Sequence, residues 1–140
     1  MATAAGSRTP AQLFALVFGA VYLLVGIAGF FVTGFDNFAG ETYNDELIIF
    51  PVNPLHNLVH LAIGAVWLGS AARHDTAKSV NLLIGAAYAL VALLGFVGVL
   101  NFLAIEDAGS ADNFLHLATA LLAIYFGTAG AENTAGTATA

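Results

Sequence analysis

The sequence predicts an all-α fold, a four-transmembrane-helix bundle built from two pseudo-symmetric helical hairpins, and three observations carry that prediction. First, hydrophobic residues make up 59% of the chain and charged residues only 9%, far outside the range of water-soluble globular domains. Second, four segments, residues 11–35, 54–72, 80–103 and 113–130, contain no Asp, Glu, Lys or Arg. Each approaches or exceeds the ~20 helical residues that cross a bilayer. Third, the second half of the chain echoes the first. Four spans use almost all of the 140 residues, so residues 1–130 read as one membrane domain, with repeat one at 9–72 and repeat two at 79–130. The remaining tail, residues 131–140, is small and polar and is expected to be disordered.

The first span is announced by Thr9-Pro10-Ala11-Gln12, which offers an N-cap, a proline at the first helical position and a glutamine in capping-box position. Its apolar run is longer than the roughly 7–15 residues of a signal-peptide core and reappears later in the chain, so it is read as a span and not as a cleaved leader. Asn53-Pro54 plays the same capping part for the second span, and Ser110 with Asn113 for the fourth.

Arg8 precedes the first span, and Arg73 and Lys78 lie between the second and third. The positive-inside rule therefore puts both termini on the cytoplasmic side of a plasma-membrane, multi-pass protein. The opposite side collects Asp36, Glu41, Asp45, Glu46, Glu106, Asp107 and, at a helix mouth, Asp112. The net charge of -6 then reflects mainly two solvated outer loops and does not imply a cationic partner. Within the longer loop, residues 36–53, the stretch ELIIFPVN is expected along the membrane surface.

The repeat is visible in LVFGAVYLLVGIAGF (Leu16 to Phe30) against LLIGAAYALVALLGF (Leu82 to Phe96). Apolar helices resemble each other by chance, but HNLVHLA (His56 to Ala62) against DNFLHLA (Asp112 to Ala118) matches polar residues too: Asn57 with Asn113 and His60 with His116. An even number of spans per copy makes the pseudo-two-fold axis run along the membrane normal, so the two motifs should face each other.

On a helix starting at Pro54, Asn53, His56, Asn57, His60, Gly64 and Trp67 fall on one side; Asp112, Asn113, His116 and Ala120 form the equivalent stripe in the fourth span. Polar groups are costly in hydrocarbon, so both stripes should turn inward. The first and third spans present Gly19, Tyr22, Gly26 and Gly29, and Gly85, Tyr88, Ala92 and Gly95. These small faces suit close helix packing, within the chain or in a homo-oligomer or with another membrane protein. Tyr22 and Tyr88 carry mid-span hydroxyls that need partners, for which a histidine nitrogen or a backbone carbonyl is expected.

Three readings of the histidines follow. In the first, they form with Asn53, Asn57, Asn113, Tyr22 and Tyr88 a hydrogen-bonded network that docks the hairpins, in a non-enzymatic accessory or oligomeric membrane subunit. In the second, His56 and His60, one turn apart, and Asp112 and His116 opposite them grip a zinc-like divalent metal through three nitrogens and one oxygen. Asp112 has a competing reading as a solvated helix-end residue, favoured there by the helix dipole. In the third, His60 and His116 are haem ligands or quinone hydrogen-bond donors.

Cysteine is absent and Met1 is the only methionine, which excludes sulfur-based metal or thiol chemistry. No span carries a mid-membrane acid of the kind coupled transport needs, and there is no phosphate loop, Ser-His-Asp arrangement or nucleic-acid-binding basic patch. An enzyme requires that the histidine cluster hold a metal or cofactor.

The GxxY…GF pattern of spans one and three, VNPLHNLVHLxxG at the start of the second and DNxLHL at the start of the fourth resemble a bacterial, mainly actinobacterial, four-span membrane family of unknown function, the DUF4383 type. The resemblance implies the topology and makes His56, Asn57, His60, Asp112, Asn113 and His116 family hallmarks. It implies no activity.

Overall fold

The computed structural model describes residues 7–40 and 45–128; the tail expected to be disordered, residues 131–140, lies outside the described residues. Four helices dominate: α1 (Pro10–Thr33), α2 (Pro54–Ser70), α3 (His74–Val97) and α4 (Ala111–Thr128). They pack mainly as two pairs, α1 on α2 and α3 on α4, with lighter contact between the pairs. A short antiparallel hairpin, β1 (Glu46–Leu47) and β2 (Phe50–Pro51), lies between α1 and α2.

The helix starts follow local chemistry. Thr9 caps α1: its hydroxyl accepts from the Gln12 N–H, and the Thr9 N–H donates to Gln12 Oε1 at 3.0 Å. Asn53 caps α2 by accepting from the His56 N–H at 2.8 Å. Ser110 stands immediately before α4, and its carbonyl accepts from the Asn113 N–H. Its hydroxyl accepts from the Asp107 N–H, while the Asn113 side chain donates to the Asp107 carbonyl at 2.9 Å, so the pair organises the preceding loop.

Two boundaries also differ from the charge-free runs. Helix α3 begins at His74, inside the polar stretch expected to be a loop, and leaves only residues 71–73 as the turn after α2. It ends at Val97 because Gly98 takes a left-handed conformation (φ 77°), a conformation that ends helices. The apolar residues beyond, expected to complete the span to 103, fold back through a 3-10 turn at Asn101–Leu103 and a bridge between Leu100 and Ile105. That return buries Leu100, Ala104 and Ile105 completely or nearly so. An apolar run without charges cannot distinguish a spanning helix from a buried plug.

Helices α1 and α3, 24 residues each, are long and apolar enough to cross a membrane. Their outer faces carry exposed apolar side chains such as Leu24, Phe31, Leu83 and Leu93. Helices α2 and α4 are shorter, 17 and 18 residues long.

Each pair closes through the small-residue faces. Gly19 meets Gly64 and Leu68, and a side chain at Gly29 would collide with the Asn57 amide. In the second pair Gly85 meets Ile124 and Ala120, and a side chain at Gly95 would collide with Asn113 Oδ1. The glycine faces are thus used within the chain, and the surface left to other molecules is made of large apolar side chains. In the middle of the molecule Phe14, Phe18, Tyr22, Trp67, Tyr88 and Phe126 form an aromatic core, with Tyr22 and Trp67 at 5.1 Å and Trp67 stacked on Tyr88.

Overpacking a tight helix contact costs about 1–3 kcal/mol. Gly29→Val and Gly95→Val should each lower the thermal unfolding midpoint in mild detergent, whereas Gly69→Ala, whose new methyl would meet nothing within 4 Å, should not.

Candidate functional site

The inward face of α2 is set by its period: His56, Asn57, His60, Gly64 and Trp67 are all buried, while Leu58 and Val66 point outward. Helix α4 does the same with Asp112, Asn113, His116, Thr119 and Ala120. Because the two pairs sit side by side, these faces meet. His56, His60 and His116 each offer a ring nitrogen such that the three atoms lie within 4.8 Å of one another. Their rings pack together, His56 against His60 at 4.5 Å between centroids and His56 against His116 at 6.0 Å.

The polar stripes then divide by chemistry. The asparagines bond away from the histidines. Asn53 donates to the carbonyls of Gly40 (3.2 Å) and Phe102 (2.9 Å), tying the α1–α2 and α3–α4 connections together. Asn57 donates to Thr33 at 3.0 Å across the first pair, and Asn113 to the loop carbonyl of Asp107. The histidines form the inner group: within the protein no hydrogen bond reaches His60 Nδ1, His60 Nε2 or His116 Nδ1, and the His56 ring lies beside the backbone carbonyls of Pro51 and Leu103 without a well-formed bond to Nδ1.

Asp112, expected as the fourth member, is brought to the group but not into the triangle. Its Oδ1 stands 4.0 Å from His56 Nε2 and its Oδ2 has no partner. The reading of Asp112 as a solvated end residue is corrected, since only 1% of it is exposed. It lies one turn nearer the helix start than His116, level with His56, so it can orient His56 without entering the triangle.

Each tyrosine lies against a histidine, Tyr22 on His60 and Tyr88 on His116, both at 5.0 Å between ring centroids. Their hydroxyls behave differently from expectation. Tyr22 donates to Thr119 Oγ1 at 3.3 Å, a bond from α1 to α4 that joins the pairs, and the Tyr88 hydroxyl lies beside that of Tyr22 without a well-formed hydrogen bond. Thr119, one turn from His116, was not singled out in the sequence because threonine is ordinary in apolar helices. Asn81 was missed too, though a lone asparagine early in an apolar run is a usable signal. Its side chain accepts from Trp67 Nε1 at 3.0 Å and donates to the Ala11 carbonyl at 3.2 Å.

A cavity of about 50 Å³ adjoins the triangle, with His56, His60, His116 and Tyr88 in its wall and otherwise apolar side chains around them. The volume suits an ion with a small ligand. A porphyrin is larger than this cavity.

A family model described as a domain of unknown function (DUF4383) matches residues 12–129, a stretch that includes every residue of the site. The chain belongs to that family. No curated protein and no solved structure matches it.

Leaving a buried indole N–H unpaired costs about 1–3 kcal/mol. Asn81→Leu should lower stability by that order and shift the fluorescence of Trp67, the single tryptophan, both read in one thermal melt.

Proposed function

We propose that this chain is a multi-pass membrane protein whose buried histidine triangle holds a divalent transition metal ion, zinc being the ion best suited to its ligands. The observation that carries the metal reading is the gathering of three buried histidines, each with a ring nitrogen within 4.8 Å of the others, with both nitrogens of His60 and Nδ1 of His116 unpartnered. An unpaired buried polar atom costs about 1–3 kcal/mol, and several in one place are reconciled with folding by something that binds them. In a tetrahedral zinc site with bonds of about 2.0–2.1 Å the nitrogens stand about 3.3 Å apart, a modest closing movement from here. Asp112 beside His56 supplies the outer carboxylate that histidine ligands commonly have. The purely structural reading is favoured at other residues: the asparagines and the Tyr22–Thr119 bond, which dock helices and loops.

Support for the membrane comes from the two long apolar helices and from their outward faces, which are apolar where a soluble helix would be polar. Helices α2 and α4 would cross alongside them, the outer loops making up their shorter length. Arg8, Arg73 and Lys78 favour cytoplasmic termini. The exposed Ile48 and Ile49 at the tip of the β1–β2 hairpin suit contact with the outer lipid surface. The Gly29–Asn57 and Gly95–Asn113 contacts, alike in the two helix pairs, favour a duplicated hairpin.

Protein purified in mild detergent and supplied with zinc should carry one ion per chain by elemental analysis. His60→Ala and His116→Ala should abolish it, and Asp112→Asn should weaken binding about 10–100-fold. A protein that folds normally and takes up no metal would overturn the reading and leave a structural cluster in an accessory subunit. Topology is testable because the chain has no cysteine. Single cysteines at Ala72 and Gly109 should be labelled by an impermeant reagent from opposite sides of the membrane, and labelling from one side would refute the four-span arrangement.

A further inference from the structure

The cavity beside the triangle has a direction. Its rim is formed by Val59 and Ile63 of α2 and by Ala87 and Val91 of α3; Ala87 is exposed, and the other three are half-buried. This rim belongs to the seam between the two helix pairs, where packing is lightest, and it opens onto the apolar outer surface. Toward the outer end, by contrast, the site is covered. Ile105, completely buried, and Leu103 form the cavity roof, and Val52 is buried beside Asn53 at the start of α2. Toward the other end Trp67 and Phe14 close the core.

A molecule reaching the histidines through the seam passes only apolar side chains and, if the chain is embedded, comes from the hydrocarbon. Charged ligands are therefore disfavoured by the cost of leaving water. The cavity size further limits the visitor to a few atoms. Tyr88 lines the cavity beside the histidines, and its hydroxyl, which lies next to that of Tyr22, makes no well-formed hydrogen bond within the protein.

We propose that the ion held by His56, His60 and His116 keeps its fourth coordination position open to this seam and binds a small uncharged ligand, of the size of a diatomic gas, arriving from the bilayer, with Tyr88 donating a hydrogen bond to it. Three protein ligands with one open position are the arrangement by which metal sites accept exogenous molecules, whereas structural sites are closed by four. The proposal rests on the metal reading above and adds to it the access route and the class of ligand.

Imidazole ligands also suit copper, and Cu(I) in a three-nitrogen site binds carbon monoxide, an uncharged probe that dissolves in hydrocarbon. The full chain in lipid nanodiscs, loaded anaerobically with Cu(I), should bind one carbon monoxide per copper and show a single infrared carbonyl band. Ala87→Phe, a change at an exposed rim position, should keep its copper and slow carbon monoxide uptake at least tenfold. Tyr88→Phe should keep its copper and displace the band. Copper bound without any carbonyl band, or uptake by Ala87→Phe as fast as by the parent chain, would overturn the proposal while leaving the metal site standing. Failure to bind copper or zinc would remove the metal reading itself.

Discussion

Each helix pair closes at a point where an asparagine side chain lies against a glycine of its neighbour, Asn57 on Gly29 and Asn113 on Gly95. Much of the rest depends on that contact. It sets the register of α2 on α1 and of α4 on α3. His60 and His116 each follow their asparagine by three residues, so the same register carries both histidines onto the inward faces. A glycine is required because the asparagine amide occupies the place that a Cβ would take.

The polar residues form two kinds of group with different energetics. The asparagines, Thr33, Thr119 and Tyr22 are paired, and buried pairs of this kind specify how helices dock. Asn53 extends the same logic by holding the Gly40 and Phe102 carbonyls, so the α1–α2 and α3–α4 connections are tied together at the start of α2. The histidines are gathered behind a roof of Leu103 and Ile105, and most of the buried polar atoms without a partner lie on them and on Asp112 and Tyr88 beside them. The amide nitrogens of Asn57 and Asn113 are bonded while their oxygens, like the histidine nitrogens beside them, have no partner.

Much of the site was legible in advance because a helical period needs no tertiary information. The spacing of His56, Asn57, His60, Gly64 and Trp67, and of Asp112, Asn113 and His116, placed them on inward faces. The caps at Thr9 and Asn53 were legible for the same reason, since a cap is a contact within three residues. Partners far apart in sequence were not legible. Tyr22 finds Thr119, and Asn57 finds Thr33, through packing that no local pattern encodes.

The sequence by itself determined four helices, their buried stripes and the family, because periodicity, capping and motif spacing are local properties of the chain. Only the tertiary structure decided that residues 98–105 fold back as a plug, that Asp112 is buried against His56 and stays outside the triangle, and that the glycine faces are used inside the chain. Each of these depends on which surface a segment meets after helices pair, and an apolar or acidic residue has the same local signature whichever surface that is.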